Sequence, residues 1–516
     1  MRHLKNNLRQ CLCFLVTFAV VCGFFGSFAV RTIAADGTVL FRGSETEIRV
    51  DGAASVSGNE YTFSDTLTIT LVSPENSGFE RYELGYSSDS YLHGIVYYKV
   101  GSDDYQEDFF LEPGTDVTFS SLTDGYLGGQ YGTMLSKIEL EPINTNSAVF
   151  RLDRINTWME DRHFDTMVYL ENDRFKIGVH LVWGGGLSYL EDKQDGDDTV
   201  SNMLNCHDTG RLVQQSYYGT SAKPYVTAKF GESQWPYNPV QGGDQYGNKS
   251  KLVDFSIDKN SIYVKCRPLD WAQNNMYTLT YMENRYTITD EYVSVDNRFI
   301  DFSTYKHGGA RDQELPAFYT ISYLDTFTFY NGKTPWENGE LTVKPDLEFW
   351  GGNSNAYFRM DRKNTETWCA WVSSETGYGI GLYTPNITTL LAGRFQFNGS
   401  KDAENNATNY VAPLIQDNMK NCEPFEYRYL ITGGTAESIR ALFQSKREVA
   451  ENPWNEDDII AEATPSPVPE TEPPTAAPTN APSSGGCGSM IGGSAALLVV
   501  LAAAGLILRK KESKIS

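Results

Sequence analysis

Between Asp36 and Trp454 the chain rarely repeats its apolar residues at the three-and-four spacing of a helix. It alternates them instead, in short runs broken by turn residues. Such runs are Tyr61–Phe63, Leu67–Leu71, Gly94–Val100, Phe109–Leu111 and Ser136–Glu141, with Pro113-Gly114 and Asp124-Gly125 between them. A period of two sends successive side chains to opposite faces of a strand, so one face of each run can build a core. This spacing predicts a jelly-roll-like β-sandwich over residues 36–157. Residues 158–452 carry their own strands: Phe175–Val182, Ser261–Cys266, Tyr277–Tyr281, Tyr286–Val295, Phe318–Tyr323, Thr367–Val372, Tyr378–Thr384 and Tyr427–Thr432. That region is too long for an immunoglobulin-like sandwich, and a larger two-layer antiparallel β-supersandwich is expected. One helix is predicted, over Thr435–Arg447, from its alanines, the acidic Glu437 in its first turn and its basic end.

The two ends have other tasks. Arg2, Lys5 and Arg9 precede an apolar run and then Ala34-Ala35, the pattern of a secretory signal over residues 1–35; an uncleaved anchor is the alternative. Met490–Leu508 carries no charge, and Arg509-Lys510-Lys511 follows it. At about 1.5 Å per residue a helix of that length spans roughly 28 Å, close to the bilayer core. Residues 490–508 are therefore expected to cross a membrane, with residues 509–516 as a basic cytoplasmic tail. The Pro-, Thr- and Ser-rich stretch 453–489 reads as an extended linker. Gly485-Gly486-Cys487 also resembles processed bacterial sorting signals. The expected protein is exported and held at the cell surface by its C-terminus.

Composition narrows the class further. The 31 tyrosines and 27 phenylalanines can build cores, which excludes a wholly disordered chain. A net charge of -23 argues against a nucleic-acid partner, which calls for a basic footprint. Cys206, Cys266, Cys369 and Cys422 are widely spaced, with no C-x-x-C and no zinc pattern; buried thiols and one or two bridges are both acceptable. No cofactor is expected. Asp195-Gly196-Asp197-Asp198 has the acids of a structural calcium site but lacks the twelve-residue EF-hand pattern, and reads as a hairpin turn.

Three segments resemble galactose-mutarotase-like domains. Asn172–Val179 followed by Trp183-Gly184-Gly185-Gly186-Leu187 looks like their opening hairpin with its Gly-rich turn. Tyr286–Asn297, ending in Val295-Asp296-Asn297, is similar to their central strand, and Gly379–Pro385 to their closing strand. The resemblance covers about residues 160–430. It implies a carbohydrate partner and leaves the reaction open among epimerases, glycoside hydrolases and polysaccharide lyases.

Polar residues that strands do not need gather in three places. The first runs from His207 and Asp208 to Arg211, Gln215 and Tyr217; on a strand the last three share a face that suits hydroxyl-rich ligands. The second is the loop holding Trp235, Asn238, Gln241, Asp244 and Tyr246, where rings can stack on a sugar and amides can take its hydroxyls. The third holds His307, Arg311, Gln313 and Glu314. The resemblance implies a catalytic histidine near this point, but His307 lies seven residues before Glu314 and the pattern departs from the family's. Glycoside hydrolysis needs two carboxyls, and the candidates are Glu314 with Asp244 or Asp208. A lyase would instead draw on His207, His307, Tyr217 and Arg211. A glycan-binding protein would need only the aromatic and amide groups. The bland alternatives are an Arg211–Asp208 pair in a turn, a self-packed loop, and a salt bridge at Glu314.

Overall fold

The computed structural model describes residues 38–41, 47–74, 78–160, 166–197, 199–219, 235–348, 357–360 and 366–451. The expected signal segment, linker, membrane helix and basic tail lie outside these residues. Among the described residues no helix is long and apolar enough to cross a membrane. The chain divides into two compact units, Met1–Phe164 and Asp165–Ser516.

The first unit is a sandwich of two antiparallel sheets. One runs Ser55–Ser57, Glu60–Phe63, Ala148–Trp158, Arg81–Ser88, Gly114–Leu122, with Thr38–Phe41 also paired to Ala148–Trp158. The other runs Ile48–Asp51, Leu67–Leu71, Met134–Pro142, Leu92–Val100, Asp103–Leu111. Alternation does what the sequence asks of it: Leu67, Ile69 and Leu71 are buried while Thr68 and Thr70 are half-buried. Tyr82 of one sheet meets Phe109 of the other edge to face at 6.4 Å, so the two inner faces form one core. Gly94 stands opposite Phe109, and a Cβ at Gly94 would lie 2.2 Å from that ring; the ring fills the space a side chain would need.

The second unit contains a nine-stranded sheet, a seven-stranded sheet and a three-stranded sheet, all antiparallel where strands pair. Every residue of Val293–Asp301, in the middle of the nine-stranded sheet, is buried, as expected of a strand covered on both faces. The opening hairpin is present: Phe175–His180 pairs with Gly186–Asp192. Between them Gly184 adopts φ 58°, and a Cβ there would sit 2.1 Å from the Gln241 carbonyl oxygen. The run Tyr286–Val295, read as one strand, is two. Thr280–Ile288 turns at Thr289–Tyr292 and returns as Val293–Asp301, because the Thr289 hydroxyl accepts the Glu291 and Tyr292 amides and closes the turn. The helix is Ala436–Ser445, capped by the Thr435 hydroxyl on the Ser438 amide, and Arg447–Glu451 forms a short second one. Its Arg440 is buried against Glu366, which also accepts the Trp368 indole N–H. All four cysteines in the described residues are free thiols.

Candidate active site

The seven-stranded sheet runs Leu269–Asp270, Pro239–Val240, Gln214–Ser216, Arg311–Ile321, Thr408–Asp417, Thr389–Phe395, Tyr357–Arg359. Glu314 lies within its central strand, opposite Ser216 on one side and Leu414 on the other. The strand starts at Arg311, seven residues before the expected Phe318, so Glu314 sits in the sheet rather than in a loop. Along the neighbouring strand Tyr410, Ala412 and Leu414 alternate onto the same face, and with Ala317, Tyr319 and Leu391 they form a buried apolar cluster.

Into this surface projects the Glu314 carboxyl, 7% exposed. Its Oε1 accepts the Tyr410 hydroxyl at 2.7 Å and the Tyr218 hydroxyl at 3.2 Å. The Tyr410 and Tyr319 rings lie 4.7 Å apart. Burial pushes the Glu314 carboxyl above the ordinary glutamate range; hydrogen bonds from Tyr410, Ser216 and Tyr218 oppose the rise, and the Asp312 charge adds to it. The Tyr357 phenol, on the edge strand, is pushed up to about 12 by burial and by the charges of Asp312 and Glu314. Glu314 is thus a nearly dry carboxyl among phenols, placed to hold a proton at a pH where an exposed glutamate has lost it.

Other expected residues belong elsewhere. Asp244 is 1% exposed, and its Oδ1 accepts the Tyr246 and Asn248 amides while its Oδ2 accepts the Asn275 amide and the Asn248 side chain. Its hydrogen bonds hold two loops together. Asp208 caps a turn through the Gly210 amide and lies 3.5 Å from Arg211, the turn pair that the bland reading describes. Both act electrostatically on Tyr319, so they border the site. Arg211 is further fixed by the Asn406 carbonyl, and His207 by the Glu404 carbonyl.

The face assigned to Gln215 and Tyr217 is the inner one. The strand is only Gln214–Ser216, and Ser216 and Tyr218 are the residues that reach Glu314. Tyr217 stacks on Phe299 at 4.0 Å and donates to Gln215. Gln215 and Gln241 both donate to Asn284 Oδ1, and Asn284 donates to Asn297, the asparagine of the Val-x-Asn segment. These amides pair with one another inside the unit. Gln313, on that same side of its strand, is tied to the Tyr218 and Asp417 backbones. A cavity of about 50 Å³ between Tyr217, Phe299, Gln313 and Phe425 is on the side away from Glu314 and has room for little more than a water.

The loop aromatics divide. Trp235 is buried with Ala272, Trp271 and Tyr218, and so supports Tyr218, while Tyr246 stays exposed. Asn238 takes the Trp235 indole N–H and donates to the Tyr217 carbonyl. His307 is buried, its Nε2 2.9 Å from Asp301 and its ring stacked on Tyr237 at 5.5 Å. Arg311 is exposed at the start of the strand. Asp197, in the acidic turn, accepts Lys401 and Thr199, and among the described residues no three His, Cys, Asp or Glu groups gather as a metal site. Sequence reasoning missed Tyr218, Tyr319, Tyr357, Tyr410 and Asp312. The available signal was the pattern Asp312-x-Glu314, which places two acids on one face of a strand.

No family model and no curated protein matches the sequence. Solved structures similar to the chain include a galactose mutarotase-like protein from Lactobacillus casei, 13% identical over 52% of this chain and 100% of its own, with a TM-score of 0.33. They also include an Escherichia coli K12 protein ascribed to the aldose 1-epimerases, 10% identical over 52% of this chain and 99% of its own, with a TM-score of 0.34. A family 29 carbohydrate-binding module complexed with cellulohexaose is 11% identical over 25% of this chain and 95% of its own, at a TM-score of 0.19. The first two are of the kind that the sequence segments resemble.

Proposed function

We propose that the second unit is a carbohydrate-active enzyme that hydrolyses a glycosidic bond, with Glu314 as its general acid. The observation that carries this reading is the nearly dry Glu314 carboxyl held by Tyr410 and Tyr218 on a face rich in tyrosine. Tyrosine rings stack on the C–H face of a sugar, and a carboxyl that keeps its proton can give it to a leaving oxygen. The small exposure of Glu314 favours a second reading, a glycan-binding protein in which the carboxyl only braces two phenols.

Glu314→Gln separates the two. It keeps the shape but loses the acidic proton, so turnover of a glycan should fall about 10²–10⁴-fold while glycan binding holds. Binding of a glycan array without release of reducing ends by the unaltered protein would establish the second reading. We further propose, from the sequence ends, that the protein is exported and anchored by residues 490–508. Removal of residues 485–516 should then release a folded protein from the membrane fraction; retention in that fraction would overturn the anchor.

A further inference from the structure

The strand Arg311–Ile321 runs in unbroken register with Thr408–Asp417 at its start: Asp312 faces Gln416, Gln313 faces Ile415 and Glu314 faces Leu414. Asp312 and Glu314 therefore leave the same face of one strand. Two residues of strand advance about 6.6–6.8 Å, which sets the spacing of the two backbone positions along that face. Their electrostatic coupling agrees, since the Asp312 charge acts on Glu314 and both act on the Tyr357 phenol. Their surroundings differ. Glu314 is held by phenols and nearly dry, whereas Asp312 keeps an exposed surface; partial burial of its carboxyl still pushes its pKa up, opposed by a Gln416 hydrogen bond and the Arg359 charge.

We propose that Asp312 is the second catalytic carboxyl, the general base of a hydrolysis that inverts the anomeric centre. This rests on the hydrolase reading above. Inversion goes with roughly 6.5–9.5 Å between the two carboxyls, which leaves room for a water between base and sugar, and the advance between the two backbone positions is of that order. The step balances. Water attacks the anomeric carbon as the glycosidic C–O bond breaks, its proton goes to Asp312, and Glu314 gives its proton to the departing oxygen. The greater exposure of Asp312 suits the base, and the dry position of Glu314 suits the acid. Asp208 and Asp244, engaged in a turn pair and a loop staple, are not needed.

The test uses a panel of para-nitrophenyl glycosides and reducing-end-labelled oligosaccharides. The first-formed anomer is followed by NMR with the full-length protein, and Asp312→Asn and Asp312→Ala are assayed beside it. The inverted anomer is expected first. Both variants should fold, because Asp312 is exposed, and should lose turnover about 10²–10⁴-fold with KM changed less than threefold. Azide should restore turnover in Asp312→Ala and give a glycosyl azide of inverted configuration. Retention of configuration, or variants with unaltered turnover, would overturn the assignment of Asp312 while leaving a hydrolase. No product from any substrate with the unaltered protein would overturn the hydrolase reading and this inference with it.

Discussion

Asp244 and Glu314 are both buried carboxylates in the second unit, and their surroundings are opposite. Asp244 is held by three backbone amides and an asparagine side chain, in a loop of prolines and glycines. Glu314 is held by hydroxyls, on a strand, above an apolar cluster. Amide donors tie separate stretches of backbone together, which is a scaffold's role. The phenols on Glu314 also favour its charge, and burial against apolar walls pushes the other way and prevails. Two buried carboxylates thus differ in what holds them, backbone amides for one and side-chain hydroxyls for the other.

Substitutions can break this contrast, and the largest effect belongs to the loop. Asp244→Ala strands four donors in a buried place, each worth about 1–3 kcal/mol when unsatisfied, and a loss of about 3–5 kcal/mol in denaturant unfolding is expected. A loss under 1 kcal/mol would show that water replaces the carboxylate at little cost. Glu314→Gln should act in the opposite sense. The folded carboxyl is raised above its unfolded value, so its contribution to stability is full below the ordinary glutamate range and is lost as pH rises toward the folded value. The glutamine variant lacks that loss. Its advantage should grow as pH rises from about 4 to 7, and unfolding curves at the two pH values measure it. A gap that stays constant would remove the argument for a protonated Glu314. The smallest effect is kinetic. The Tyr410 hydroxyl pulls the Glu314 carboxyl down, so Tyr410→Phe lets it rise. The alkaline limb of kcat/KM should move to higher pH. A downward move would assign that limb to another group.

Much of the fold was legible because alternation survives wherever one face of a strand is less buried, as in Leu67–Leu71. It was lost where both faces are covered. Tyr286–Val295 reads as one apolar run, and only the polar pair Asp290-Glu291 marks its turn. The same loss misled the site. Gln214–Ser216 is buried on both sides, so composition could not tell Gln215 and Tyr217, which face inward, from Ser216 and Tyr218, which face Glu314. Glu314 itself was legible as an acid out of place. Its strand was not, because Gly308-Gly309 and Pro316 look like interruptions, and the strand accommodates the proline at a register shift between Glu314 and Phe318.

The amide chain Gln215–Gln241–Asn284–Asn297 has a consequence for assembly. Its members come from four neighbouring segments, two of them the paired strands of one hairpin, and the hydrogen bonds form together only when all four are aligned. A slip of one residue in any strand would turn an amide away and leave the others dry and unanswered. Greasy side chains tolerate such a slip more readily, since one methyl group is much like another. The four amides work as a checksum on strand alignment: they add little to the attraction that collapses the chain, and they penalise wrong ways of completing it.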